Sequence, residues 1–112
     1  MNDERAVFVY TTHPSLVEAE RTAKAVLEKR LAACVNILPG MTSIYRWQGE
    51  LERGEEAVMI IKTRATLADD VTKAVKELHS YETPAILVMP LDSVEKSYLG
   101  WLLESTGEKS KD

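Results

Sequence analysis

The chain is poor in the residues from which most small catalytic or metal centres are built. Its 112 residues include one cysteine, two histidines, five glycines and one phenylalanine. A lone Cys34 excludes an internal disulfide and any paired-cysteine metal or redox motif. No GxGxxG or GxxxxGKS/T segment exists, so the chain lacks a glycine-rich loop to cradle phosphates. HExxH is absent, and no serine–histidine–acid or cysteine–histidine pairing is visible, which removes the common hydrolase and zinc-peptidase readings. Net positive charge is missing too. At −4, the chain lacks the basic face of a dedicated nucleic-acid binder or a polybasic membrane anchor. No run approaches the roughly 18 apolar residues that span a bilayer. The first residues, MNDERAVFVY, place acids where a signal peptide carries basic residues, so the expected compartment is the cytoplasm.

What is present is an ordinary globular composition, 45% hydrophobic, sufficient for one domain with one core. The run Ala6 to Thr11 is β-prone, and Thr12-His13-Pro14-Ser15 reads as a break. Ser15 with Glu18 three places on matches a capping box, and Leu16, Ala19, Ala23, Val26, Leu27 and Leu31 recur at helical spacing. A helix over Ser15–Arg30 follows. Cys34–Leu38 and Met41–Trp47 form a second strand, interrupted by Pro39-Gly40 in the manner of a bulge. Gln48-Gly49 is the expected hairpin turn, Glu50–Thr63 the third strand, and Gly54 a further irregularity. Thr66 with Asp69 suggests a cap for a second helix striped by Leu67, Val71, Ala74, Val75 and Leu78. Pro84 helps to stop that helix. Ala85–Met89 is the fourth strand, and a short helix opened by Asp92 and Glu95 carries Tyr98, Leu99, Trp101 and Leu102. Residues 1–104 form the domain; 105–112 read as a polar, frayed tail.

The order β-α-β-β-α-β is the split βαβ, ferredoxin-like arrangement: an α+β fold with an antiparallel sheet in order 4-1-3-2 and both long helices on one face. Strands with one wet face should alternate polar and apolar residues, yet AVFVY, AVMII and AILVM do not. The second face therefore wants a cover, and self-association through the sheet is expected. The topology also gathers His13, Trp47, His79, Tyr81 and Glu82 at one end and sends Cys34, Lys62, Thr63 and Arg64 to the other. His13 and His79 flank neighbouring strands and should approach each other. An RNA-recognition module shares this order, but its third-strand aromatics are missing from AVMIIKT.

Two separated segments resemble a known family. RLAACVNILPGMTSIYRWQGELERGEEAVMIIKTR, over residues 30–64, looks like the central part of the CutA divalent-cation-tolerance proteins, and HSYETPAILVMPL resembles that family's His-x-Tyr-Glu-x-Pro signature. Tyr98, Leu99 and Trp101 resemble its last helix. The resemblance implies a non-enzymatic homotrimer linked to tolerance of copper and other divalent ions, with copper binding reported in the family. No cofactor is obligatory on this reading, and the expected partners are other copies of the chain and divalent cations.

Under it, His79 and His13 are the metal candidates, since imidazole suits copper and zinc. The structural alternatives are a helix C-terminal histidine for His79 and a loop histidine for His13. In some family members a cysteine and a further histidine stand where this chain has Thr11 and Leu78, so only weak binding of Cu(II) or another divalent cation is expected. Tyr81, Glu82 and Trp47 are candidates for an inter-subunit cleft, with Arg46 or Lys62 as partners for Glu82. A second reading is a PII-like signalling module that takes a small effector in such clefts. Cys34 reads as a small hydrophobe, the methionines as core, and the acidic run Glu50–Glu56 as a solvated hairpin segment.

Overall fold

The structure is a computed structural model, and it describes residues 5–108. The element order is β1 (Ala6–His13), α1 (Leu16–Glu28), β2 (Cys34–Trp47), β3 (Glu50–Arg64), a 3-10 turn (Ala65–Leu67), α2 (Ala68–Leu78), β4 (Ile86–Pro90) and α3 (Lys96–Glu104). The strands form one sheet in the order β2-β3-β1-β4, antiparallel throughout. Alternation assigns the faces. Val7, Val9, Thr11 and His13 of β1 pair with Thr63, Ile61, Met59 and Ala57 of β3, and all eight are buried. Onto this face pack Ala19, Ala23 and Val26 of α1 and Val71, Ala74 and Val75 of α2, which makes the core.

The opposite face carries Tyr10, Ile60, Leu38, Leu87 and Met89, of which Leu38 and Leu87 are more than half exposed. α3 lies over its Lys62 end, where Lys62 Nζ donates to Tyr98 Oη over 3.4 Å. The expected apolar face is thus present and exposed in the single chain.

Local chemistry explains most boundaries. Ser15 Oγ accepts from the Glu18 amide and caps α1, as expected of that pair. The β2–β3 register shifts between Leu38 and Met41, so Pro39-Gly40 is a bulge, with Gly40 at φ +79. Gln48 (φ 51) and Gly49 (φ 83) make the tight turn that matches strand twist.

Four expectations need correction. Thr12 and His13 are not a break: they continue β1 and pair with Val58 and Ala57, because the longer partner strand extends the ladder past Thr11. Gly54 sits in regular register opposite Ser43. Thr66 caps nothing, since a 3-10 turn precedes α2 and neither helix start has a side-chain cap. The tail is not frayed from residue 105. Thr106 is buried, Gly107 N donates to Arg30 O, and the Arg30 guanidinium donates to the carbonyls of Glu104 and Gly107. Arg64 closes the same knot by donating to Leu103 O and to Thr106 Oγ1 and O. Residues 109–112 lie outside the described residues.

Candidate functional site: a histidine pair bound to a carboxylate clasp

β1 delivers His13 at its last position, with the side chain on the helix face and no solvent exposure. α2 ends at Leu78, and His79 is its C-cap in extended conformation, with its imidazole reaching the Thr12 carbonyl of β1. The two rings stack with centroids 4.2 Å apart. The predicted approach of the two histidines is therefore observed.

The polar atoms of the pair are largely committed. His13 Nε2 lies 2.9 Å from Thr22 Oγ1 of α1, while His13 Nδ1 is buried and unpartnered. His79 Nε2 lies 2.5 Å from Thr12 O. A carbonyl can only accept, so Nε2 carries the hydrogen. His79 Nδ1 then holds the lone pair, which accepts from the Tyr81 amide at 3.0 Å. Both ring nitrogens of His79 are satisfied within the chain, and one tautomer is specified.

Tyr81 extends the cluster, its ring 4.8 Å from that of His79. Its hydroxyl donates to Glu56 Oε2 over 3.0 Å. The same oxygen accepts from Thr12 Oγ1 at 3.1 Å, and Glu56 Oε1 accepts from Ser43 Oγ at 2.6 Å. One carboxylate thus ties together β1, β2, β3 and the segment after α2. Glu56 was expected to be part of a solvated acidic run. The missed signal is its register position: it falls on the open face, opposite Met41 and next to the β1 end, which only the strand pairing reveals.

Electrostatics follow from this geometry. Burial drives the His13 pKa down to about 4; His79 adds to the effect, and the carboxylates of Glu18 and Glu56 oppose it. Burial alone would raise the Glu56 carboxyl. The hydrogen bonds from Ser43, Tyr81 and Thr12, with His79 nearby, outweigh it and hold the group below the usual carboxylate range. Burial, the bond to Glu56 and the charge of Glu56 push the Tyr81 hydroxyl up to about 12, with Tyr45 and Glu18 adding to the rise.

The remaining candidates lie elsewhere. Trp47 pairs with Glu50 at the hairpin tip, seven residues along β3 from Ala57, a distance of roughly 23 Å at strand rise. Arg46 is beside it, opposite Leu51. The topology had placed Trp47 with the histidines; the reason it is not there is that β2 and β3 run far beyond the end of β1. Glu82 is exposed, and Lys62 sits at the far end, paired with Cys34 and Phe8. Cys34 is half-buried, with Asn36 Nδ2 3.9 Å from its sulfur.

The family model described as CutA1 divalent ion tolerance protein matches residues 7–105. The chain belongs to the CutA1 family. The divalent-cation tolerance protein CutA of Thermus thermophilus is 46% identical over 99 residues, covering 88% of this chain and 96% of that protein. The CutA of Archaeoglobus fulgidus is 48% identical over 98 residues, covering 88% and 95%. The solved structure of the Archaeoglobus protein superposes with a TM-score of 0.87 at 47% identity, over 89% of this chain and 97% of that one. That relative is described as a periplasmic divalent cation tolerance protein. CutA1 membership therefore does not by itself place this chain in the cytoplasm. No helix among the described residues is long and apolar enough to cross a membrane.

The family name raises the question of an ion, and the donor set gives an answer. Among the described residues no group of three or more His, Cys, Asp or Glu side chains is placed to hold a metal. His79 has no spare lone pair, and Glu56 already accepts three hydrogen bonds. The histidine–carboxylate cluster of this chain does not fit a resident divalent ion.

Proposed function

We propose that the chain is a non-enzymatic, homotrimeric divalent-cation tolerance protein whose contact with Cu(II) or similar ions is weak and uses no resident site. Membership of the CutA1 family over nearly the whole chain carries the tolerance role. The open sheet face supports self-association: Leu38, Leu87 and Met89 are 57%, 54% and 41% exposed on the side that α1 and α2 leave bare. An apolar surface of that kind is costly in a monomer and is expected to be covered by further copies. Weak ion contact is supported by the committed nitrogens of the histidine pair.

Sedimentation and Cu(II) calorimetry test the two halves separately. The expected results are a single trimeric species and weak binding that His79→Ala leaves unchanged. A monomer at micromolar concentration overturns the assembly. Stoichiometric binding that His79→Ala abolishes overturns the reading of the site. The signalling alternative is not adopted, because the family model and the Thermus and Archaeoglobus relatives carry the tolerance name.

A further inference from the structure

The β2–β3 hairpin runs past the end of the β1 ladder, whose last pair is His13 with Ala57. Its outer part is therefore a two-stranded ribbon with a side-chain face on either side. Strand pairing sorts the charges between them. On the side that continues the helix-covered face, Ile44 stands opposite Arg53 and Arg46 opposite Leu51. On the side that continues the open face, Tyr45 stands opposite Glu52 and Trp47 opposite Glu50. One face carries aliphatic side chains with cations, the other aromatic side chains with anions. Glu55, opposite Thr42, lies one row behind the cationic group, so the positive charge is concentrated in the two rows nearest the tip.

Neither face is covered by its own chain. Ile44 and Leu51 are each 70% exposed, Trp47 61% and Tyr45 49%. The four charged residues are exposed as well, and among the described residues none of them is held in an ion pair. Like charges are also neighbours. Arg46 and Arg53 are diagonal across the ribbon, and Glu50 and Glu52 are two positions apart on one strand face, roughly 7 Å at strand rise. A surface of opposite sign relieves both repulsions. The ribbon itself carries that surface, on its other side. A two-fold contact joins a patch to itself, whereas a three-fold ring joins two different patches, as these are.

We propose that, in the homotrimer proposed above, on which this inference rests, the aliphatic and cationic face of each arm (Ile44, Leu51, Arg46, Arg53) docks on the aromatic and anionic face (Tyr45, Trp47, Glu50, Glu52) of the next copy's arm.

The chemistry of the two faces matches group by group. A guanidinium pairs with a carboxylate and also stacks on an aromatic ring, and the anionic face offers both. Ile44 and Leu51 leave water against the rings of Tyr45 and Trp47. Apolar packing of the open sheet face has no direction of its own, whereas charge decides which face meets which. Two arms placed with identical faces together would set Arg against Arg or Glu against Glu, so the same sorting disfavours a face-to-face dimer. On this reading Trp47 and Arg46 serve a contact between copies, with Glu50 and Glu52 in the acidic role expected of Glu82.

Charge reversal in the full chain, read by sedimentation, is the test. Arg46→Glu with Arg53→Glu is expected to shift the trimer towards monomer, and Glu50→Arg with Glu52→Arg to do the same. All four substitutions together exchange the signs of the faces, restore the match and should bring the trimer back. Trimers that persist in either double variant overturn the proposal. So does a fourfold variant that stays dissociated while its circular dichroism matches the parent. The unmodified chain gives a second test that no folding defect can remove. In trimers assembled from equal parts of isotope-labelled and unlabelled chains, filtered NMR should show the labelled Ile44 and Leu51 methyls touching unlabelled Tyr45 and Trp47 rings. Within one chain these groups lie on opposite sides of the ribbon, so the contact arises between copies, and its absence overturns the proposal. An unmodified chain that sediments as a monomer defeats the trimer reading itself, whereas a trimer indifferent to the four charges defeats the arm contact alone.

Discussion

Thr12 serves His79 and Glu56 at once: its carbonyl accepts from His79 Nε2 at 2.5 Å while its hydroxyl donates to Glu56 at 3.1 Å. A residue expected to lie in a turn is thus the point where the histidine pair and the carboxylate clasp are joined. That junction sits on the last paired positions of β1, so the site is only as rigid as the β1–β3 ladder beneath it.

The buried neutral His13 sets a pH dependence of stability. Its folded pKa of about 4 is below the ordinary value of 6.5. Unfolded chains therefore bind the proton first as pH falls. The stabilisation is complete above pH 6.5 and is lost between there and pH 4. On the order of 2 kcal/mol should disappear over that interval at constant protein concentration. Urea midpoints at pH 7.5, 6 and 4.5 measure it. A flat profile would contradict a buried neutral His13, whereas a neutral replacement such as His13→Gln should flatten the profile and lower its plateau.

Arg30, after α1, and Arg64, at the end of β3, both clamp the residues that close α3 and should matter more than surface arginines normally do. Arg64 donates to Leu103 O and to both oxygens of Thr106, so Arg64→Ala leaves carbonyls without their charged donor. Loss of about 2 kcal/mol is expected, at the scale of hydrogen bonds to charged groups. Arg30 is different because its φ is 58. Arg30→Gly removes the clamp but also the left-handed strain, whereas Arg30→Ala removes only the clamp. Arg30→Gly should therefore be the milder variant by about 1 kcal/mol in denaturant titration.

The hairpin tip offers a stabilising change. Gln48 holds φ 51 next to Gly49 at φ 83, a turn that Asn-Gly forms readily. Gln48→Asn should raise the thermal midpoint slightly, by a few tenths of a kcal/mol in stability terms, on the order expected for relieving left-handed strain. Nothing approaches Gly49 within 4 Å, so Gly49→Ala should cost backbone strain alone, about 1 kcal/mol. Scanning calorimetry of the two variants should move in opposite directions.

On the proposed trimer, charges placed on the open sheet face should dissociate the copies and spare the fold of each chain. Leu87 is 54% exposed within the subunit and Leu38 57%, so neither holds the core. Leu87→Asp and Leu38→Asp are expected to shift sedimentation towards monomer, with strand signals retained in circular dichroism. Trimers that persist in both variants would place the assembly surface elsewhere.

Much of this fold can be read from the chain because its signals are local and agree. Ser15-x-x-Glu18 caps a helix, Gln48-Gly49 turns a hairpin, and Pro39-Gly40 breaks a register, each within a few residues. The failures share one cause. Whether Thr12-His13 ends a strand depends on Val58 and Ala57, more than forty positions away along the chain. Glu56 cannot be separated from Glu55 without knowing that it faces Ser43, Thr12 and Tyr81. The two histidines were legible as neighbours because strand order alone brings them together. Their hydrogen-bond partners were not, because those depend on rotamers set by Thr12, Thr22 and the turn into Tyr81.

The long β2–β3 hairpin gives the chain extents of 54 × 27 × 23 Å and a radius of gyration of 15.1 Å, against about 13 Å for a compact chain of this length. A rod of that shape tumbles at two rates, slowly end over end and faster about its long axis. Nuclear relaxation along the hairpin would therefore depend on bond direction in a lone subunit. Three such rods closed into a ring would recover a nearly isotropic particle, so the anisotropy of tumbling is itself a gauge of whether the arm is free or bound.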